Sequence, residues 1–329
     1  MRILILGGTA FLSAEIARQA VAEGHQVSCL ARGNSQRPPD GATWLSADRT
    51  LGTDAYAAAA AEEWDAVVEV ARDPVFAAGA LESLADRAAH WTFVSTSSVY
   101  ADHSVPQEDE SASLLPPLAA GTPVTAETYG AAKAAIEAAT LAATGGRAHV
   151  CRAGLISGPG DPTDRYGYWP ARFARDNQPA FIPDIAYHPT QIIDVRDLAA
   201  WILAAAGRGV TGALNAMGDP VPFGAYLQAA RQLAGYTGNT RTASEDFLLA
   251  HGVEYWAGPD SLPLWLPPQH DGFMNRSNHA AIVAGLELRP WQETLAATLE
   301  FERGIGLDRP RKAGLDAARE KELLEALSG

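Results

Sequence analysis

The stretch Ile3-Leu4-Ile5-Leu6-Gly7-Gly8-Thr9-Ala10-Phe11-Leu12-Ser13 decides the fold. Four consecutive aliphatic residues read as a buried strand, two glycines break it, and Phe11, Leu12, Ile16 and Ala20 then continue an apolar helical face. A strand that runs through a glycine turn into a helix exposes the first amides of that helix, and glycine lets a phosphate approach the backbone closely. Outward from this unit the pattern repeats. Apolar runs at 2–6, 26–31, 43–46, 65–71, 90–96 and 148–153 predict strands, with helices near 11–23, 53–63, 75–88 and 126–144 between them. Such alternation implies an α/β fold, a doubly wound parallel sheet with crossover helices.

Beyond residue 155 the rhythm shortens. A Pro/Gly-rich loop at 157–163, a helix near 169–176, strands at 190–193 and 212–216, and helices from 195, at 222–235, 277–284, 290–303 and 315–326 are expected, with an aromatic loop over 252–273. At about 150 residues per domain, a chain of 329 suggests two lobes. The expected division is a dinucleotide-binding domain over 1–155 and a smaller, mixed substrate-binding lobe over 156–329, a strand or helix of which returns to the first.

A formal net charge of −14 disfavours a nucleic-acid or anionic-membrane partner, so any bound anion must be held locally. No run approaches the roughly 20 apolar residues of a membrane span, and the apolar run before Gly7 is too short for a signal-peptide core. The cytoplasm is the expected location. Cys29 and Cys151 sit in separate apolar strands and read as small hydrophobic fillers.

Cation usage is skewed. The chain has 22 arginines and 3 lysines, and the only lysine before residue 312 is Lys133, four residues after Tyr129 in Tyr129-Gly130-Ala131-Ala132-Lys133. An i, i+4 pair shares one helix face, and an ammonium there draws a phenol down from its ordinary pKa of about 10. Such a phenol can act as a general acid or base near neutrality.

The strand with Gly7-Gly8-Thr9-x-Phe11-Leu12, together with the later Tyr-x-x-x-Lys, resembles the extended short-chain dehydrogenase/reductase family, the group of NAD-dependent epimerases and dehydratases. The resemblance implies a Rossmann-type sheet. The family's Gly-x-x-Gly-x-x-Gly maps onto Gly7, Ala10 and Ser13, so two glycines are replaced by small residues; Thr9, Ala10, Phe11 and Leu12 would line the dinucleotide. At the end of the second strand, where NAD-preferring members carry an acid, this chain has Arg32, which suits a 2′-phosphate. NADP(H) is therefore favoured, with NAD(H) still open. Asp48 and Arg49 resemble the family's adenine-contacting acid and the side chain that covers the ring, although Asp48 reads equally as a turn cap. Val70, Ala71 and Arg72 match the turn beside pyrophosphate and ribose.

The run Phe93-Val94-Ser95-Thr96-Ser97-Ser98-Val99-Tyr100 resembles the family strand that carries the catalytic hydroxyl, which maps onto Thr96, with Ser97 and Ser98 as neighbours. The resemblance then implies that Tyr129 exchanges a proton with the substrate oxygen, Lys133 holds the nicotinamide ribose, and Thr96 bonds the same oxygen. It also implies dimerisation through helices that include the Tyr129–Lys133 one, so a homodimer is an expectation.

Residues 101–126 form a long loop whose acids, Glu108, Asp109 and Glu110, read as a solvated stretch. The segments 165–169, 255–256 and 264–268 supply aromatics that serve equally as a pocket wall or as the core of the second lobe. Sugar-nucleotide enzymes of this family carry Arg-x-x-Asn-x-Tyr-Gly-Pro after the sixth strand. Here Leu155 replaces the Asn and Ser157 the Tyr, and leucine cannot donate a hydrogen bond to a diphosphate. The leading expectation is an NADP(H)-dependent oxidoreductase acting on a small carbonyl or alcohol substrate. An NDP-sugar epimerase or dehydratase and a non-catalytic dinucleotide sensor are the alternatives.

Overall fold

The computed structural model describes residues 1–33 and 36–328. The elements of the first half are β1 (Arg2–Leu6), α1 (Phe11–Ala22), β2 (Gln26–Ala31), β3 (Thr43–Ser46), α2 (Ala57–Ala60), β4 (Trp64–Glu69), α3 (Pro74–Leu84), β5 (Ala88–Thr96), α4 (Tyr129–Thr144) and β6 (Ala148–Ala153). Together with Gly212–Ala216 the six strands form one seven-stranded sheet, in the order Gly212–Ala216, β6, β5, β4, β1, β2, β3. Every pairing in it is parallel. The architecture is thus the expected Rossmann-type α/β fold.

Strand alternation explains how β1 is buried on both faces. Leu4 and Leu6 enter a cluster with Val67, Phe93, Val150, Leu81 and Ile136, while Ile3 and Ile5, also fully buried, alternate to the opposite face. On that face α1 packs against the helix Val195–Arg208, and Gln19 Nε2 donates to the Arg196 carbonyl at 3.0 Å. Both cysteines are free and buried, and burial pushes the Cys29 thiol up to about 12.

Two compact units emerge. The first comprises residues 1–155, 195–217 and 276–287; the second comprises 156–194, 218–275 and 288–329. In the second unit Tyr166, Tyr168, Trp169 and Trp265 are buried, with Tyr166 packed on Tyr226 and Trp169 edge-on to Phe223. Those aromatics form the unit's core. A parallel pair, Ala180–Pro183 with Thr240–Ala243, and the helix Glu245–Ala250 add to the elements expected from sequence. Pairing within that short ladder is non-local, which is why no local pattern announced it.

The acids of the 101–126 loop are not a solvated stretch. Glu110 Oε1 accepts from the Asn215 amide at 2.7 Å, and Glu108 pairs with Arg276 at 3.3 Å. Only Asp109 stays exposed, capping its own turn through Ser111. The loop is anchored on a buried polar network. Glu137 takes Arg152 at 2.8 Å and the Ser95 hydroxyl at 2.5 Å; Arg152 donates to Tyr100 Oη at 3.1 Å; and Tyr100 Oη donates to Asn215 Oδ1 at 2.6 Å. Removing one partner of a buried ion pair strands the other charge, at a cost of roughly 3–5 kcal/mol. Arg152→Met should therefore lower unfolding stability in urea by about that amount, and adding Glu137→Leu should recover part of it. Additive losses in the double variant would contradict the pairing.

Candidate active site

The site is built from the C-terminal ends of parallel strands, where the chain winds from β1 to β2 and β3 on one side and returns from β3 to β4 on the other. Such a switch point opens a crevice between the outgoing loops. Gly7 and Gly8 leave β1 with φ of 136° and 87°, in the region that favours glycine, and the Gly7 amide donates to the Leu30 carbonyl at 3.0 Å. A Cβ on Gly8 would lie 2.3 Å from Cys29 Sγ, so the turn lies directly against β2.

Ala10 precedes α1 in extended conformation and offers no side-chain cap. The first amides of α1 are therefore left to a ligand, which fits the donor set a pyrophosphate requires. Ser13, at the third glycine position, donates its hydroxyl to the Ala10 carbonyl at 2.8 Å, so the replacement is satisfied within the first turn. Thr9 and Phe11 are half-buried, Ala10 is exposed, and Leu12 is buried in the apolar face of the helix.

At the ends of β2 and β3 the expected contacts divide. Arg32 is exposed, and its charge helps hold Asp48 below the usual carboxylate range, chiefly an effect of the hydrogen bonds Asp48 takes from the Thr50 amide and hydroxyl. Asp48 thus caps the turn Arg49–Tyr56. Arg49 is committed inward, over the Tyr56 and Phe76 rings and onto Glu69. Its guanidinium donates to Glu69 Oε1 at 2.9 Å, Tyr56 Oη at 2.7 Å and the Phe76 carbonyl at 2.9 Å.

Glu69, buried at the end of β4, also accepts from the Ala71 amide at 2.8 Å and so shapes the turn Val70-Ala71-Arg72. That turn meets Lys133. The ammonium, 3% exposed, donates to the Ala71 carbonyl at 2.8 Å and the Val94 carbonyl at 2.6 Å, and lies 4.3 Å from the Phe93 ring centre. Burial lowers its pKa to about 7, with Arg72 acting in the same direction and Glu69 and Glu137 opposing.

Tyr129 is the first residue of α4, one turn before Lys133 on the same face, and its ring centre lies 6.0 Å from the Arg72 guanidinium carbon. Gly130 brings α4 against the end of β5, since a Cβ there would lie 2.1 Å from the Ser98 carbonyl oxygen. At that end Thr96 accepts from the Ser98 amide at 3.2 Å and donates to the Ser98 hydroxyl at 3.3 Å. Both hydroxyls are half-exposed, whereas Ser97 is buried and Ser95 is spent on Glu137. Sequence reasoning missed Gly130, Glu69 and the Glu137–Arg152 pair. An acid inside the apolar run Val67-Val68-Glu69-Val70 was the one available signal.

A sequence model of the NAD dependent epimerase/dehydratase family matches residues 3–216. The chain belongs to that family. Among solved structures, a putative epimerase from Burkholderia cenocepacia J2315 superposes with a TM-score of 0.71 at 21% identity, covering 92% of this chain and 98% of the other. The UDP-glucose 4-epimerase of Thermus thermophilus, in complex with NAD, gives a TM-score of 0.63 at 17% identity over 93% and 100%. The Thermotoga maritima UDP-glucose 4-epimerase, with UDP-glucose, gives 0.66 at 16% over 93% and 99%. At these identities the likeness is one of fold. A search of curated proteins found no match. No helix among the described residues is long and apolar enough to cross a membrane.

The depressed Lys133 pKa carries a sign. Between the folded value of about 7 and the ordinary 10.5, the unfolded chain holds a proton that the folded chain has lost. Stability must therefore rise with pH through that window, by up to about 1.4 kcal/mol per unit from this group. Denaturant unfolding of Lys133→Met from pH 7 to 10 should show a flatter, less rising profile than wild type; parallel profiles would mean the lysine keeps its proton.

Proposed function

We propose that the protein is an NADP(H)-dependent oxidoreductase that moves a hydride between the dinucleotide and a small carbonyl or alcohol substrate. The observation that carries this reading is Lys133: a buried ammonium anchored on the Ala71 and Val94 carbonyls, one turn from Tyr129 and on the same helix face. Tyr129 transfers the proton to or from the substrate oxygen, and Thr96, with Ser98 behind it, bonds that oxygen and fixes its position. Lys133 stabilises the phenolate and bonds the ribose next to the nicotinamide, which supplies the hydride chemistry when bound. The uncapped amides of α1 hold the pyrophosphate.

Arg32 supports NADP(H) over NAD(H), because it stands exposed where an acid would read a ribose hydroxyl. Leu155, buried in the first unit, supports a substrate other than a sugar nucleotide. The protein acts on small molecules, without nucleic-acid or membrane partners, as a homodimer in the cytoplasm.

Tyr129→Phe should lose roughly 10²- to 10⁴-fold in turnover while still binding NADPH, and Lys133→Arg should fail despite its charge. Both are read by NADPH oxidation against a panel of ketones and aldehydes. Near-normal turnover in Tyr129→Phe would exclude this mechanism, and turnover confined to UDP- or dTDP-sugars would point to an epimerase or dehydratase. Separately, fluorescence titration of Arg32→Ser should show about 10-fold weaker NADPH binding with NADH little changed. Equal loss for both dinucleotides would remove Arg32 from cofactor choice.

A further inference from the structure

Arg72 is an arginine of this site that no carboxylate among the described residues pairs with. Arg49 is paired with Glu69, Arg152 with Glu137 and Arg276 with Glu108. Arg72, exposed at the end of β4, makes no hydrogen bond or ion pair among the described residues, and its neighbour Asp73 is spent on the Val75 amide at 2.9 Å in capping α3. Its guanidinium carbon stands 6.0 Å from the Tyr129 ring centre, and it follows directly on Ala71, whose carbonyl takes Lys133. An exposed planar fork that has no ion pair among the described residues and stands beside Tyr129 is suited to hold a carboxylate by two parallel hydrogen bonds.

Resting on the function proposed above, we infer that Arg72 receives the carboxylate of the substrate, so that the substrate class is a 2-oxo or 3-oxo acid, or the matching hydroxy acid. A carboxylate held on the guanidinium places a carbonyl a few bonds away within reach of Tyr129. The reaction itself is unchanged: the carbonyl carbon gains a hydride from the reduced dinucleotide, its oxygen gains the Tyr129 proton, and solvent restores that proton.

Two measurements test this. Calorimetric binding of phenylglyoxylate, and of its methyl ester as control, to the free enzyme and to the NADP⁺ complex should show the acid bound more tightly than the ester. Arg72→Gln should weaken the acid by about 10- to 100-fold, the usual loss for a charge-assisted hydrogen bond, and Arg72→Lys should lose less. NADPH titration of the same variants separates a substrate anion from the cofactor's pyrophosphate: an unchanged dissociation constant supports the inference, and a parallel loss overturns it by assigning Arg72 to the cofactor. Failure of wild type to bind the acid, or equal binding of acid and ester, also overturns it. Failure of NADPH to bind at all would instead defeat the oxidoreductase reading, and acid binding to the free enzyme would remain measurable.

Discussion

The site depends on one buried ammonium. Lys133 ties the turn after β4, through Ala71, to the last residues of β5, through Val94, and to the first turn of α4, on which it sits. Three segments that are distant in sequence thereby acquire one fixed spacing, with the first turn of α4 set against Ser98 at the end of β5. Desolvating a cation is expensive. Two short carbonyl bonds, the face of Phe93 and the fields of Glu69 and Glu137 offset part of that cost, and the remaining imbalance shows as a lowered proton affinity.

Around this centre the carboxylates are held rather than free. Glu69 is fixed by Arg49 and by the Ala71 amide; Glu137 is fixed by Arg152 and Ser95. Each acid reaches Lys133 as a field while its oxygens are occupied elsewhere. In an acidic protein, the acids nearest Lys133 are thus already paired, while Arg72 has no ion pair among the described residues.

Much of this was legible in the chain. The six strands of the first half could be placed from apolar runs, and the helices between them from 3.6-residue patterning, because a parallel sheet buried on both faces writes its strands as uninterrupted aliphatic stretches. The alignment of Tyr129 with Lys133 was readable for the same local reason, a helical repeat. What escaped were features made by contacts across sequence. Gly130 looks like any helical glycine until Ser98 is seen behind it, and Glu108 and Glu110 look solvated until Arg276 and Asn215 are brought to them. Arg49 resembled a ring-covering side chain because its sequence position is right; a buried Glu69 claims it instead, and a charge buried in the sheet outweighs an exposed stacking contact.

The scarcity of lysine now has a physical account. Several buried arginines in this chain sit on carboxylates: Arg49 on Glu69, Arg152 on Glu137, and in the second unit Arg172 on Glu320 at 2.6 Å. A guanidinium holds its proton at any accessible pH, so burying it is cheapest where a fixed negative charge meets it. At residue 133 no carboxylate among the described residues makes direct contact; the acceptors are two neutral carbonyls. Only a cation able to release its proton near neutrality can be kept there without a bound counter-charge. Arginine is interchangeable wherever this protein needs a permanent charge, and lysine is required where the charge must be conditional.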